Sequence, residues 1–223
     1  MILAFDTSGS IGSVAVAYQG DVLARGVLRV QAGHAAGLIL MINEVLEDAD
    51  VGREELTGIV VGEGPGSFTG VRVAAATAKG LSRALTLPLW PVSSLAAAAL
   101  AVEQGAVRYA LFDARAERVY GACYGVGGAR VQMLVPPHAG ELQDVLKSDV
   151  PAGAVFVGDG SEKHRAVIEG AGFQVADSSP DISLADGLVR YWAACPDGFG
   201  PVDDSGRWEP EYVRASSAER LWG

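Results

Sequence analysis

The sequence predicts a two-lobed α/β protein in which one βββαβα unit is used twice, each copy a mixed sheet flanked by helices. Three observations carry that expectation. The alternation of apolar strands and helices runs to about residue 103 and restarts at Arg108. An apolar strand closing on an aspartate opens both halves, as Ala4-Phe5-Asp6 and as Leu111-Phe112-Asp113. Later in each half an apolar strand enters a glycine turn, first Val60-Val61-Gly62-Glu63-Gly64 and then Phe156-Val157-Gly158-Asp159-Gly160. Landmarks repeated in the same order point to duplication. The 223 residues, 49% of them apolar, are enough to bury a substantial core. The expected organisation is an N-terminal lobe over 1–105, a smaller C-terminal lobe over 106–206, and a tail over 207–223 docked back on the protein.

In chain order, the apolar run Met1 to Phe5 reads as a buried strand. Alternation over Gly12 to Tyr18 and Val22 to Val30 gives two more strands, joined by a hairpin turn at Gln19-Gly20-Asp21. A helix over His34 to Ala49 follows from Leu38, Met41, Ile42, Val45, Leu46 and Ala49 at helical spacing. Gly58 to Gly62 is a fourth strand, leading through the glycine turn into a second helix over Ser67 to Leu85. Leu89 to Val92 and the alanine-rich Ser94 to Glu103 add a strand and a helix. In the second half, Tyr109 to Asp113, Arg118 to Tyr124 and Ala129 to Val135 read as strands. Gly140 to Lys147 reads as a helix, Ala154 to Gly158 as a strand, and His164 falls on an exposed helix after it.

Composition excludes several functions. With 17 basic and 27 acidic residues the formal charge is −10, which repels polyanions and argues against this chain alone gripping nucleic acid. The two cysteines, Cys123 and Cys195, lack the short spacing of a redox or zinc pair and read as buried apolar residues in a reducing cytoplasm. No apolar run has the length of an export signal or a membrane span.

The segment from Gly62 through Gly64-Pro65-Gly66-Ser67-Phe68-Thr69-Gly70-Val71-Arg72 is the most distinctive part of the chain. Glycines at this density, between a strand and a helix, let another backbone or a phosphate approach closely. It is not a Walker loop, because the required lysine is absent. Asp6-Thr7-Ser8-Gly9-Ser10 offers a carboxylate and hydroxyls suited to phosphate or magnesium. Its counterpart Asp113-Ala114-Arg115-Ala116-Glu117 has neither glycine nor hydroxyl, and Arg115 and Glu117 are placed to pair with each other. One half of a phosphate clamp is therefore missing, and phosphoryl transfer needs charge neutralised from both sides. Arg72, one turn into its helix, opposes the helix dipole unless a carboxylate or phosphate answers it. A salt bridge to Glu63 and a partner or nucleotide contact both satisfy that requirement.

The duplicated unit with an aspartate closing the first strand of each half resembles the actin, hexokinase and Hsp70 (ASKHA, ribonuclease H-like) superfamily. Within it, Ile2-Leu3-Ala4-Phe5-Asp6-Thr7-Ser8, His34, Gly64-Pro65-Gly66-Ser67-Phe68-Thr69-Gly70-Val71-Arg72, Asp113-Ala114-Arg115, Gly158-Asp159-Gly160 and the tail Pro210-Glu211-Tyr212-Val213-Arg214 resemble the TsaB (YeaZ) family. The resemblance implies a non-catalytic partner that activates a TsaD-like transferase in forming N6-threonylcarbamoyladenosine at position 37 of tRNAs reading codons that begin with A. A TsaE-like ATPase joins the complex, tRNA is met through the complex, and ATP and a divalent metal belong to the partner proteins, with no cofactor on this chain. Free chains pair with themselves through the same surface. That surface is implied to comprise His34, Leu38, Met41, Ile42 and Val45 of the first helix with Gly66, Ser67, Phe68, Thr69, Gly70, Arg72, Val73 and Ala74 of the second, as a four-helix contact. Asp6, Thr7 and Ser8 are then a remnant phosphate site, and Trp208 and Tyr212 anchor the tail. The three histidines, His34, His138 and His164, include no pair four apart such as a TsaD-type metal site uses. The competing expectations are an acetate- or sugar-kinase-like phosphotransferase, which the intact first loop suggests, and a peptidase, for which no nucleophile with its base is visible.

Overall fold

The computed structural model describes residues 1–29, 34–114, 117–127, 130–148, 150–177, 183–194 and 199–210, without the side chains of 28, 29 and 34–36. Its first sheet has the order β3-β2-β1-β4-β5, built from β1 (Ile2–Asp6), β2 (Ile11–Tyr18), β3 (Asp21–Arg29), β4 (Gly58–Gly62) and β5 (Leu89–Val92). The second has the order β10-β9-β6-β7-β8, from β6 (Val107–Asp113), β7 (Arg118–Gly127), β8 (Arg130–Glu141), β9 (Ala154–Val157) and β10 (Gln174–Val175). In both, the first three strands are antiparallel and the last two join the first in parallel. The duplication expected from two short motifs therefore extends to the whole strand order.

Helices divide the molecule into layers. On the outer face of the first sheet lie α1 (His34–Asp48) and α2 (Phe68–Leu85); α3 (Ser94–Ala101) and α7 (Leu184–Ala194) lie between the sheets; α4 (Leu142–Lys147) and α6 (Arg165–Gly170) lie on the far face of the second sheet, with α5 (Asp159–Lys163) following β9. Strand alternation explains the arrangement. Ile2 and Ala4 of β1 face the central layer, whereas Leu3 and Phe5 face α1 and α2. The central layer is rich in alanine, and all eight residues of α3 are buried. Small side chains let the two middle helices approach closely: a Cβ on Gly187 of α7 would overlap the backbone of Ala97 in α3. The carbonyl end of α3 is held by two arginines, Arg108 donating to Ala99 O at 2.9 Å and Arg190 to Leu100 O at 3.0 Å. Both place positive charge at the negative end of the helix dipole.

The helices at the centre are exchanged between the halves. Helix α3 packs on β6 and β7 of the second sheet, whereas α7 packs on β1, β2 and β4 of the first. Arg25 of β3 fixes that placement with an ion pair to Asp186 of α7 at 2.7 Å. Helix α7 and the two-residue β10 lie outside the elements read from sequence. Strand β8 runs to Glu141, well past Val135, and α3 stops at Ala101, short of Glu103. The hairpin between β2 and β3 turns where expected, with Gln19 and Gly20 at positive φ of 52° and 94°.

From 199 the chain returns to the first sheet. Phe199 packs edge-on against Tyr191 of α7 at 5.2 Å, Val202 N–H donates to Leu89 O at 2.9 Å beside β5, and Trp208 packs on the core under α2. Trp208 thus anchors the segment as expected; Tyr212 and Cys195 lie outside the described residues. No described helix is long and apolar enough to cross a membrane.

Candidate functional site

Strand β1 ends at Asp6, where β1 and β4 run in parallel and their carboxyl ends meet the glycine turn. The turn closes down on the loop after β1. A Cβ on Gly62 would overlap the Asp6 carboxyl group, one on Gly66 the Ser8 backbone, and one on Gly70 the Thr7 carbonyl. Hydrogen bonds complete the closure: Thr7 Oγ1 donates to Gly70 O at 2.7 Å, and Ser67 N–H donates to Ser8 O at 2.7 Å. Ser67 also caps α2, accepting from Gly70 N–H at 3.4 Å. The glycines are therefore required by close backbone approach within the chain itself.

Asp6, Thr7 and Ser8 are buried at 0%, 1% and 3% exposure. The Asp6 carboxylate accepts from Ser8 N–H and Ser8 Oγ, both at 2.6 Å, and from Ser94 Oγ at 2.5 Å. Ser94 in turn accepts from Gly64 N–H at 3.0 Å, and its own N–H donates to Gly64 O at 2.8 Å. Burial pushes the Asp6 carboxyl above its ordinary pKa, against the three hydrogen bonds that favour the anion. Ser94 was not singled out from the sequence. Its only signal there is a hydroxyl opening an alanine helix directly after a strand.

In the second lobe, Asp113 pairs with Lys163 at 2.8 Å, and its N–H donates to Asp159 Oδ1 at 3.2 Å. A Cβ on Gly160 would collide with the backbone of Phe112 and Asp113, the same close approach as in the first lobe. Arg115, expected beside Glu117, lies outside the described residues.

Between the lobes lies a cavity of about 440 Å³. Its walls include Ile11, Val27, Ala98, Phe112, Val157 and Leu184, with Asp159, Glu162, Lys163 and Asp177 among its polar groups. The phosphotransferase expectation would put a nucleotide between the lobes. The described residues do not fit one: Asp6 is closed off under the glycine turn, Asp113 already has Lys163, and the remaining charge among the described residues of the cavity wall is mainly acidic. A polyphosphate would meet repulsion rather than a cradle.

The two outer helices offer a different kind of surface. Leu38, Met41, Ile42 and Val45, expected to face a partner, are 1%, 8%, 4% and 1% exposed and pack on the first sheet. They form the core stripe of α1; the exposed large apolar residues of that helix are Ile39 and Leu40, at 41% and 61%. On α2, Gly70 and Ala74 are likewise buried, whereas Ser67, Phe68, Thr69 and Arg72 are exposed and Gly66 and Val73 half-buried. The Arg72 guanidinium lies 3.8 Å from the centre of the Phe68 ring, a cation–π contact that answers part of its charge. The side chain of His34 is not among those described.

The remaining candidates are structural. His138 Nε2 is 3.3 Å from the Tyr109 hydroxyl at the second sheet. His164 sits half-buried at the junction of α5 and α6, where an exposed helix position was expected. Cys123 is buried, which pushes its thiol up to about 11. Among the described residues no three His, Cys, Asp or Glu side chains are grouped to hold a metal ion.

A family model described as TsaD, tRNA N6-adenosine threonylcarbamoyltransferase, matches residues 28–183. The tRNA threonylcarbamoyladenosine biosynthesis protein TsaB of Bacillus subtilis (strain 168) is 31% identical over 99% of this chain and 97% of its own. TsaB of Escherichia coli (strain K12) is 33% identical over 67% of this chain and 63% of its own. A solved Pseudomonas aeruginosa structure, described as an uncharacterized protein with similarity to peptidase YEAZ, superposes with a TM-score of 0.75 at 27% identity, covering 96% of this chain and 99% of that one. The activator of 2-hydroxyisocaproyl-CoA dehydratase from Clostridium difficile, solved with bound ADPNP, reaches 0.53 at 11% identity over 86% of this chain and 94% of that one, a likeness of fold alone.

Proposed function

From the premise that this chain belongs to the TsaB (YeaZ) family, and to the broader family of the matching transferase model, we propose that it is the non-catalytic partner of a TsaD-like transferase. The family places the chain in tRNA N6-threonylcarbamoyladenosine modification. The observation that carries the finer reading is the outer face of α1 and α2, where Ile39, Leu40 and Phe68 are exposed over a core that does not need them. Helices side by side on one sheet face, with apolar residues left outside, fit a second pair of helices. The partner supplies such a pair in a four-helix contact, and in its absence a second copy of the chain does. The TsaE-like ATPase joins that complex, ATP and metal belong to the partners, and tRNA is held by the assembly rather than by this acidic chain.

The closed first loop supports the absence of catalysis by this chain. A phosphotransferase would need Asp6 and Asp113 to face phosphates, whereas Asp6 is buried among its donors and Asp113 is paired with Lys163. Among the described residues the one cysteine, Cys123, is buried with its thiol pushed up to about 11, which does not suit a peptidase nucleophile.

The test is reconstituted modification of tRNA with the TsaD-like and TsaE-like proteins of the same cell. Wild-type chain and Asp6→Asn are expected to support it equally, and Leu40→Glu combined with Ala76→Glu, an exposed position on α2, to abolish it. An Asp6→Asn chain that joins the complex but leaves the tRNA unmodified would return the chemistry to this chain and overturn the reading.

A further inference from the structure

Helix α2 is held weakly by its own side chains. Its residues buried against the sheet include Val71, Ala74, Ala75 and Ala78, and alanines bury little apolar area. Helix α1, by contrast, buries Leu38, Met41, Ile42, Val45 and Leu46. The first turn of α2 is fastened by Ser67, Gly70 and Thr7. Its second half has no such fastening to the β1 loop and contains Gly80, a residue that lowers helix stability, in open surroundings.

That second half is where the returning segment lies. Lys79 pairs with Glu209 at 2.8 Å and has its Nζ 5.9 Å from the centre of the Trp208 ring. Ser82 Oγ donates to Leu87 O at 2.7 Å and accepts from Ser205 Oγ at 3.0 Å. Val202 and Trp208 pack on the core that includes Ala78, with Leu81 and Leu85 at its edge. The segment begins at Phe199, seated on α7, so it links the central layer to the outer helix.

We propose that residues 199–209 are a brace that sets the position of the second half of α2 and thereby the geometry of the partner-facing surface. The inference rests on the α1–α2 reading given above. Trp208 and Glu209 are positioning residues: they act on the partner through α2.

The experiment measures affinity for the TsaD-like partner, and amide exchange over 77–85 in the free chain, for Trp208→Ala, Lys79→Glu, Glu209→Lys and the Lys79→Glu/Glu209→Lys double reversal. Trp208→Ala is expected to speed exchange in that stretch but not in α1. It should weaken partner binding about tenfold, as follows if a tenth of the molecules hold α2 in its competent position. Each single charge reversal is expected to weaken binding about threefold, with recovery in the double reversal. Unchanged exchange over 77–85 in Trp208→Ala would overturn the brace whether or not the partner binds. A double reversal as weak as Lys79→Glu would overturn it too, since Lys79 would then be touching the partner directly. If Trp208→Ala unfolds as a whole, the charge reversals decide. Failure of the wild-type chain to bind the partner, with exchange responding as expected, would count against the partner reading and leave the brace standing.

Discussion

Asp6 shows how a side chain suited to phosphate chemistry becomes a structural one. It sits at 0% exposure among three donors from Ser8 and Ser94, and burial outweighs them in raising its pKa. An acid with a raised folded-state pKa contributes stability that is fully present below its unfolded value and is lost as pH rises through the folded value. Wild-type stability in urea should therefore fall relative to Asp6→Asn as pH climbs from about 3.9 upward, and the difference between the two should be flat once Asp6 is ionised. A difference that rose with pH would show the carboxylate to be held as a favourable anion. Gly70→Ala should cost about 3 kcal/mol or more in the same assay, because its Cβ would overlap the Thr7 carbonyl and both sides are backbone. Gly62, Gly66, Gly70 and Asp6 were legible in the sequence as a special group. Their purpose was not, because Ser94 lies 88 residues from Asp6 and nothing local links the two.

Among the elements, α1 illustrates both what pattern gives and where it misleads. The 3.6-residue period of Leu38, Met41, Ile42 and Val45 locates the helix correctly, and by the same logic assigns those residues to the core. On the partner reading proposed above, the informative residues are the apolar ones off that stripe, Ile39 and Leu40. Leu40→Glu should leave stability within about 0.5 kcal/mol of wild type, as a surface change does, while weakening partner binding by a factor of about 30 or more; thermal unfolding and titration check the two halves. Helix α7 escaped the sequence reading although its apolar residues recur at helical spacing: Gly187 and Asp186 sit in its first turns, and both are buried there by contacts far away in sequence. That glycine is where α3 and α7 touch. Gly187→Val should cost about 3 kcal/mol or more in urea unfolding by forcing the central helices apart.

At the scale of the molecule, the chain is a duplicated two-lobed fold in which the glycine turn of the first lobe closes over Asp6. Duplication was readable from repeated landmarks, since each needs only a few adjacent residues. The exchange of α3 and α7 between sheets, and the return of 199–210 to the first lobe, were not, because both are decided by contacts far apart in sequence. Closure over Asp6, with Asp113 paired to Lys163, predicts that titration calorimetry of the isolated chain with ATP and magnesium gives no saturable heat. On the proposed partner reading, the outer helices are the working surface. The most direct test of that claim is light scattering on a sizing column of this chain mixed with the TsaD-like protein from the same cell. The account predicts a stable one-to-one complex with the wild-type chain that Leu40→Glu fails to form, whereas an absence of complex together with ATP turnover by this chain alone would contradict it.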